Sequence, residues 1–403
     1  MMKFKPEKYF RKFDPTRDIH EIANAIENLE EEDEDLGLYV HIPFCKSICP
    51  FCPYNKVLHD PELEELYEHY LMKELSFYSD IVRKKFESLY FGGGTPTLML
   101  KTIERIVNMV DVENERAVEY LPNSSPKGDF SALRSMGVNY VSLGIQSLNE
   151  DVLRYLKRPH TVEDNLMTLK ESRRFFEFVD VDLIFDAVKF DEETVLMDVR
   201  KLFEFDVDQI SLYPLMRFGY TPFGKGKHDR KKEHEILRKV EEIAENYGYR
   251  RTSVWTFGKS RDRRYTSITR EFYVGIGAGS ASYLKEVFCV NGFNLNSYLK
   301  MVEESCVSVF MWKKLGRFDS MLFHSFWRFY TGELDLKRIM KKFGSISILM
   351  GIFTIILSTI GFARIKDGKC ILTSKGFNVF HDIERHVTYK YIEPLWKYML
   401  ESR

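Results

Sequence analysis

Apolar and β-branched segments alternate with helical segments through the middle of this chain. The apolar segments predict six strands, at residues 38–42, 88–91, 117–121, 140–145, 179–185 and 209–215. Helical periodicity predicts helices near residues 61–82, 101–110, 129–136, 149–155, 192–203 and 231–247. Successive strand-then-helix units require right-handed crossovers, so we predict an α/β fold with a parallel sheet and helices outside, closed into a complete or partial barrel.

The pattern changes at both ends of the chain. Residues 1–36 are charged and predict an extension with some helix around residues 18–29. The repeat weakens beyond about residue 250, where short strands are predicted at 254–257 and 273–278. Helices then precede a hairpin at 363–372, whose Asp367-Gly368 pair favours a tight turn. We predict three regions: the extension at 1–36, the barrel at 37–290, and a winged-helix-like domain at 291–403 that covers the substrate.

The composition is that of a globular protein with a neutral charge balance. Apolar residues make up 44% of the chain, and 59 lysines and arginines oppose 60 aspartates and glutamates. This balance favours neither nucleic acid nor an anionic membrane as a partner. The longest apolar stretch, residues 346–360, is interrupted by serine, threonine and glycine and predicts a buried helix too short to span a bilayer. The N-terminus does not resemble a secretory signal, so we expect a cytoplasmic protein.

Cys45, Cys49 and Cys52 form a Cys-x3-Cys-x2-Cys loop directly after the first predicted strand. Structural zinc sites and iron–sulfur cubanes usually take four protein ligands, so three close cysteines without an evident fourth suggest an open coordination position. In a reducing compartment, clustered cysteines usually bind a metal or catalyse. The remaining cysteines lack motif spacing and are predicted to be small buried side chains: Cys289, Cys306 and Cys370.

Polar or glycine-rich segments follow the other predicted strands. They are the glycine run at 92–97, then residues 119–123, 144–147 and 182–186. In a parallel barrel the functional loops follow the C-terminal ends of the strands, so these segments should meet the cysteine loop at one rim. A further glycine-rich loop at 275–279 permits close backbone approach to a ligand.

The cysteine spacing, the aromatic Phe51 before the last cysteine and the glycine run together resemble the radical S-adenosylmethionine (SAM) superfamily. A narrower resemblance, to the oxygen-independent coproporphyrinogen III oxidase family, is carried by the motifs at residues 39–45, 91–98, 144–149, 158–160, 182–184 and 275–280. That family includes the oxidase, related haem chaperones, anaerobic haem-degrading methyltransferases and other class C radical methylases.

The resemblance implies a partial (β/α)6 barrel and a [4Fe–4S] cluster held by the three cysteines. The open iron would bind one SAM molecule, with a second SAM present in the methylases, and the reduced cluster would cleave SAM to methionine and a 5′-deoxyadenosyl radical. A flavodoxin or ferredoxin is implied as electron donor, and a tetrapyrrole, haem or another bulky molecule as substrate. No nucleic acid partner and no membrane span are implied.

The resemblance also assigns cofactor-binding roles along the chain. The implied contacts with the methionine part of SAM are Tyr39 near the sulfonium and Gly93, Gly94 and Thr95 at the amino group. Glu119 is implied as an acidic cofactor ligand, with Gln146 and Arg158 as a polar clamp. The implied contacts with the adenosyl part are the Phe51 backbone at the adenine and Asp182 at the ribose. Gly277 and Ala278 would line the adenosyl or second-cofactor region. Simpler interpretations remain open. Gln146 and Asp182 could satisfy loop amides and Arg158 could pair with a surface acid, while His41 and His160 are expected to be structural hydrogen-bond partners.

The chain departs from the family pattern at three places, one of which is Leu121, where a polar residue is commoner. The oxidase carries a further cysteine two positions after the third cluster ligand, and Tyr54 stands there in this chain. Residues 186–188 are Asp-Ala-Val where the family usually has Gly-Leu-Pro. Three functions stay open: a radical oxidase that decarboxylates propionates, a class C methylase, and a haem chaperone that does not turn over.

Overall fold

The computed structural model describes residues 4–259 and 270–402. The first part of the chain contains, in order, β1 (Arg11–Lys12), α1 (Pro15–Glu31), β2 (Leu36–Ile42), β3 (Phe44–Cys45), β4 (Val57–Leu58), α2 (Pro61–Ile81), β5 (Phe86–Gly93), α3 (Leu100–Met109), β6 (Val112–Tyr120), α4 (Pro126–Ser135), β7 (Tyr140–Gln146), α5 (Glu150–Tyr155), α6 (Val162–Phe175), β8 (Phe178–Phe185), α7 (Glu192–Glu204), β9 (Gln209–Pro214) and α8 (Arg230–Asn246). The second part contains β10 (Arg250–Arg251), β11 (Thr256–Gly258), β12 (Phe272–Ile276), β13 (Ala281–Tyr283), β14 (Val287–Asn291), α9 (Leu295–Ser305), β15 (Val309–Lys314), α10 (Arg317–Tyr330), β16 (Glu333–Asp335), α11 (Leu336–Phe343), α12 (Ile348–Thr359), β17 (Ala363–Lys366), β18 (Lys369–Leu372), α13 (Ser374–Val387) and α14 (Glu393–Glu401).

The centre of the molecule is a curved, mostly parallel sheet. The strands β12, β2, β5, β6, β7, β8 and β9 are parallel neighbours in that order. The α/β barrel with six successive strand-then-helix units is therefore confirmed, and it begins at β2. At its two ends the sheet continues into antiparallel strands, β11 and β10 beside β9, and β13, β14, β15 and β1 beside β12. The described sheet thus forms an open, partial barrel.

Two features near the barrel were not predicted. Helix α6 lies between β7 and β8, and its N-terminus carries a capping box in which Thr161 and Asp164 exchange hydrogen bonds. The charged N-terminal segment also takes part in the fold, since α1 buries an apolar stripe, Ile22, Ala25, Ile26 and Leu29, and β1 pairs with β15. Where one domain ends and the next begins stays a prediction.

The C-terminal part packs helices against a small antiparallel sheet in the order β16, β18, β17. The predicted hairpin is confirmed, because β17 and β18 pair directly and Asp367 and Gly368 both take positive φ, 53° and 81°. Helices α10 to α13 surround this sheet. Helix α13 contacts α8 through Glu233, and α14 reaches the cysteine loop, where Trp396 packs against Tyr54.

The apolar stretch at 346–360 is helical, but the prediction that it is buried was wrong. Helix α12 buries only Met350 and Thr354. The run Leu336–Thr359, which joins α11 and α12, is long and apolar enough by length and composition to cross a membrane, and 33% of the tested stretch is buried. Periodicity could not place this helix, because apolar residues occur on every side of it.

The prediction for the isolated cysteines holds at two positions of three. Cys289 and Cys370 are buried, whereas Cys306 is half-buried and occupies the left-handed C-terminal position of α9 with φ 62°. A helix end of this kind is exposed by its geometry, so a cysteine there cannot be a core side chain.

Candidate active site

The cysteine loop runs from the end of β3 towards α2 above the C-terminal end of β2. Its backbone is held locally: the Cys52 N–H donates to the Cys49 carbonyl oxygen at 3.3 Å, and Lys56 Nζ donates to the Cys52 carbonyl oxygen at 2.6 Å. All three thiols are half-buried. Burial raises the pKa of Cys45 to about 11, and the charges of Cys52 and Cys49 add to the rise. Because ionisation of Cys45 is disfavoured by burial and by its neighbours, a cationic metal centre would stabilise its thiolate.

The glycine run at the end of β5 packs directly beneath this loop. The Gly94 N–H donates to the Ile42 carbonyl oxygen at 2.8 Å, and the Thr95 N–H donates to the Phe44 carbonyl oxygen at 2.7 Å. A Cβ added at Gly94 would lie 2.5 Å from that Phe44 oxygen and 2.8 Å from Cys45 Sγ. The absence of a side chain here is therefore what lets the cysteine loop sit against β5.

Glu119, at the end of β6, reaches across to the glycine run. Its carboxylate accepts from the Tyr90 hydroxyl at 2.9 Å and from the Gly93 N–H at 3.0 Å. Burial raises the pKa of Glu119 to about 7, against the lowering effect of the Tyr90 hydrogen bond. The Tyr39 hydroxyl lies nearby on β2, 3.0 Å from His41 Nδ1. The structure therefore brings the predicted residues of three neighbouring strands together around one acidic group.

Arg158 and Gln146 join the cysteine loop to the end of β7. Arg158 donates from Nη1 to Cys49 Sγ at 3.3 Å and from Nη2 to the Gly144 carbonyl oxygen at 3.0 Å. The simpler interpretation, a surface ion pair for Arg158, does not describe this geometry. Gln146 takes φ 66°, uncommon for a residue with a side chain. Gln146 Oε1 and Arg158 Nε are both buried without a hydrogen-bond partner among the described residues, which is the state expected of groups that await a ligand.

Asp182, at the end of β8, belongs to a pair of buried carboxyl groups. The Ser142 hydroxyl lies within hydrogen-bond distance of both, 2.8 Å from Asp182 Oδ2 and 3.1 Å from Asp180 Oδ2. Burial raises the pKa of Asp182 to about 6, and burial followed by the charge of Asp182 raises that of Asp180 much further. Near neutral pH the pair therefore carries its negative charge on Asp182, while Asp180 holds a proton and is satisfied by neighbours in β9.

The glycine-rich loop after β12 approaches the cysteine loop from the other side. The Gly277 N–H donates to Glu74 Oε2 at 2.8 Å, and the Ala278 N–H donates to the Tyr67 hydroxyl at 3.0 Å. The Ala278 carbonyl oxygen accepts from Asn55 Nδ2 at 3.0 Å. These backbone groups already have protein partners, so the loop anchors the cysteine loop, and a direct contact of Gly277 or Ala278 with a cofactor stays a prediction.

His41 and His160 are structural hydrogen-bond partners, as expected. His41 Nε2 lies 3.1 Å from the Asn55 carbonyl oxygen, and His160 Nε2 lies 3.3 Å from the Ile145 carbonyl oxygen. Burial lowers the pKa of each ring to about 4, so both are neutral at pH 7.

An aromatic wall, formed by Tyr54, Trp396 and Phe218, stands beside the cysteine loop. The ring centroids of Tyr54 and Trp396 are 5.6 Å apart, and Trp396 stacks on Phe218 at 5.6 Å. Tyr54 is 54% exposed, yet desolvation raises its pKa, as do the charges of Glu119, Cys52 and Asp182. Tyr54 is therefore an exposed aromatic side chain close to the acidic groups and thiols of the site. Phe51 packs at the edge of the same region with residues of α5.

Sequence reasoning missed most of this wall and the ion pair behind it. Trp396 lies in α14 and Phe218 follows β9, and neither stands in a motif. Asp186 forms a buried pair with Arg217, whose Nη2 donates to Asp186 Oδ2 at 2.5 Å. In the sequence, Asp186 was marked only by the departure from the family pattern at residues 186–188. Nothing in the sequence marked Arg217, because it is brought to Asp186 only by folding.

Comparison with known proteins agrees with the resemblance seen in the sequence. Residues 39–198 match the model of the radical SAM superfamily. This match, together with the relatives and the solved structure described next, supports the radical SAM superfamily and, within it, the coproporphyrinogen III oxidase-like family. Superfamily members in general use a [4Fe–4S] cluster and SAM.

Two curated relatives and one solved structure support this assignment. The chain is 29% identical over 282 residues to the heme chaperone HemW of Lactococcus lactis, covering 65% of this chain and 73% of that protein. It is 24% identical over 321 residues to the oxygen-independent coproporphyrinogen III oxidase of Pseudomonas aeruginosa, covering 71% and 70%. The structure of coproporphyrinogen III oxidase (HemN) from Escherichia coli superposes with a TM-score of 0.78 at 21% identity over 92% of this chain and 93% of that one, so the two share a fold.

The residues of this radical SAM chain fit the two groups that its superfamily uses. Three half-buried thiols, with no fourth cysteine beside them among the described residues, suit a cubane with one open iron. Gly94 lets the cysteine loop pack against β5, which holds Cys45 in place. The unpartnered Gln146 Oε1 and Arg158 Nε lie beside them, ready for a ligand that carries both hydrogen-bond donors and a carboxylate.

Proposed function

We propose that this protein holds a [4Fe–4S] cluster on Cys45, Cys49 and Cys52, binds SAM across the ends of β2 and β5 to β8, and cleaves it reductively to act on a tetrapyrrole. The observation that carries the proposal is the position of Arg158. It touches Cys49 Sγ and the Gly144 carbonyl oxygen, with an unpartnered Nε and the orphaned Gln146 Oε1 alongside. Buried polar groups of this kind usually have partners, and these two unpartnered groups lie side by side at the cysteine loop.

The charged side chains of the site would bind different groups of SAM. The ionised carboxylate of Glu119 would accept from the ammonium group of SAM, and the planar fork of Arg158 would bind the carboxylate. Asp182, the ionised member of its pair, would accept from the ribose hydroxyls. When bound, the cluster and SAM supply the electron transfer and the radical chemistry.

The aromatic wall suits a flat, extended substrate. Tyr54 and Trp396 present aromatic rings next to the cysteine loop, with the buried Phe218 stacked behind Trp396, and rings of this kind bind planar aromatic ligands by stacking. Helices α13 and α14 would cover the substrate and exclude water from the radical. The names of the relatives, a heme chaperone and a coproporphyrinogen oxidase, also concern tetrapyrroles.

The test is anaerobic reconstitution with iron and sulfide, followed by SAM and dithionite and mass spectrometry of the products. We expect 5′-deoxyadenosine from the wild type and none from Cys49→Ala, because that variant loses a cluster ligand. Cys306→Ala is the matched control and should behave as wild type, since Cys306 lies at the end of α9 away from the loop. Equal deoxyadenosine from Cys49→Ala and wild type would contradict the proposal.

A second group of functions is favoured by Tyr54. The oxidase has a cysteine at this position, and its absence favours a methylase or a heme chaperone over decarboxylation. The same reaction mixture, supplied with coproporphyrinogen or haem, distinguishes the three. Carbon dioxide release marks the oxidase, S-adenosylhomocysteine marks the methylase, and stoichiometric haem binding without deoxyadenosine marks the chaperone and would overturn the proposal of SAM cleavage.

A further inference from the structure

Helix α12 presents its apolar side chains to solvent. The side chains that are 45% to 58% exposed are Ile348, Leu349, Ile352, Phe353, Ile355, Ile356 and, just beyond the helix, Ile360. A surface helix normally turns its apolar stripe to the core and its polar side to water. In α12 one of the two buried side chains is a threonine, while large apolar side chains face outwards. A contiguous exposed apolar patch of this kind marks an interaction surface.

The charged residues of the segment that contains this apolar face all have one sign. Residues 336–366 contain six charged side chains, all basic, and no aspartate or glutamate: Lys337, Arg338, Lys341, Lys342, Arg364 and Lys366. The whole chain is nearly neutral, with 59 basic against 60 acidic residues, so the bias belongs to this segment. The apolar helix stands in the middle, with α11 before it and β17 after it.

Two of the six cations are paired with an acid. Arg338, which is 48% exposed, and Lys342, which is buried, each form an ion pair with Glu271 at 2.9 Å. The side chains of Lys337, Lys341, Arg364 and Lys366 are exposed, and no ion pair is recorded for them in the part of the chain that the structure describes. The nearest acidic residues in the sequence are Asp335, which caps α11, and Asp367 at the tip of the hairpin.

We propose that α12, together with the exposed basic residues of α11 and β17, is a docking surface for an anionic lipid bilayer. An interfacial helix inserts its apolar side chains below the headgroups while flanking lysines and arginines contact anionic lipid. The binding is peripheral, because α12 is packed through Met350 and Thr354 and continues into the paired strand β17. A second copy of this chain fits the face less well, since a symmetric dimer would bring two sets of cations together.

The test is co-sedimentation of the full chain with vesicles of phosphatidylglycerol and phosphatidylcholine, or of phosphatidylcholine alone. We expect binding to the anionic vesicles that weakens as salt is raised, and at least tenfold weaker binding to the neutral ones. The double variant Ile352→Glu/Ile356→Glu and the double variant Arg364→Glu/Lys366→Glu should each reduce anionic binding at least tenfold. Met197→Glu, at a position 62% exposed on α7, is the matched control and should bind as wild type.

Circular dichroism of each variant establishes that it is folded, and light scattering reports its oligomeric state. A wild type that does not sediment with anionic vesicles overturns the proposal, as does an Ile352→Glu/Ile356→Glu variant that binds like wild type. A wild-type dimer that this variant converts to a monomer, without vesicle binding, assigns the face to self-association instead. The proposal is independent of the cluster chemistry, so deoxyadenosine formation in solution should be the same in wild type and in the α12 variants.

Discussion

At the scale of single residues, the site is marked by groups that the protein leaves unsatisfied. Arg158 Nε and Gln146 Oε1 are buried without partners among the described residues, although buried polar groups are nearly always paired. By contrast, the neighbouring His41 and Asn55 are satisfied within the protein. Side chains with hydrogen-bond partners in the protein hold the cysteine loop, whereas the unpartnered groups are available to bind a ligand.

Arg158→Ala should weaken SAM binding and leave the cluster intact. A hydrogen bond to a charged group contributes about 1.5–3 kcal/mol, so we expect a Kd increase of about 10-fold to 100-fold. Calorimetry on the reconstituted protein measures the affinity, and iron content reports the cluster. Arg154→Ala is the control, because that side chain is 76% exposed in its ion pair with Asp151 on nearby α5. An unchanged Kd for Arg158→Ala would remove the residue from the site.

The affinity for SAM should rise with pH through the pKa of Glu119, which burial raises to about 7. The carboxylate attracts an ammonium group only when ionised, so protonation below that pKa removes the attraction. We expect about a tenfold gain in affinity between about pH 6 and about pH 8. Glu119→Gln should bind more weakly and show a flat profile over this range. A wild-type affinity independent of pH would mean that Glu119 does not contact the ammonium group.

At the scale of elements, the pattern of apolar positions predicted the barrel well and the surface helix badly. Most of the six strands are buried on both faces and have short apolar runs, which is typical of parallel sheets, although β6 has exposed polar residues near its start. Helix α6 was missed although Thr161 and Asp164 form a capping box, a signal the sequence carries. The sequence pattern also predicted that helix α12 is buried, because a high apolar content usually indicates burial. In this helix most of the apolar side chains are exposed instead.

Gly94→Ala should displace the cysteine loop. The added Cβ would lie 2.5 Å from the Phe44 carbonyl oxygen and 2.8 Å from Cys45 Sγ, both too close for contact. We expect a loss of about 1–3 kcal/mol in the free energy of unfolding and a larger fractional loss of bound iron. Urea unfolding and iron analysis measure the two effects.

Gly128→Ala is the control for this substitution, because a Cβ at Gly128 in α4 meets no atom within 4 Å. An alanine within a helix should leave stability unchanged or raise it by up to about 1 kcal/mol. Iron content equal to wild type in both variants would show that the cysteine loop does not depend on the glycine run.

At the scale of the whole molecule, a buried acid joins the barrel to the C-terminal helices. Glu233 of α8 is 3% exposed and pairs with His381 and Arg385 of α13, at 3.1 Å and 2.5 Å. His381 in turn accepts from Trp255 Nε1 at 2.9 Å. These contacts hold α13 against α8 and Trp255, and the chain then continues into α14, which bears Trp396.

Glu233→Gln should destabilise the protein by about 3 kcal/mol, because it leaves Arg385 without its buried partner. Burial alone would raise the pKa of Glu233, but hydrogen bonds with His228 and His381 and the charge of Arg385 lower it to about 2. The folded pKa lies below the ordinary 4.5, so this stabilisation is present above about pH 4.5 and is lost as the pH falls towards 2.

Urea unfolding at neutral and acidic pH measures both effects. Glu235→Gln, an exposed position on the same helix, is the control and should change the free energy of unfolding by less than about 0.5 kcal/mol. Equal stability of the two variants at neutral pH would contradict the role given to Glu233.

The sequence by itself determined the barrel, the order of its strands and the chemistry at each strand end. These follow from local periodicity and from spacing within short segments, such as the three cysteines. Tertiary structure alone decided the contacts between distant segments: Tyr54 against Trp396, Asp186 against Arg217, and Glu233 against His381. It also decided which side of α12 faces solvent. Such contacts depend on how whole elements pack, and no local pattern in the chain encodes them.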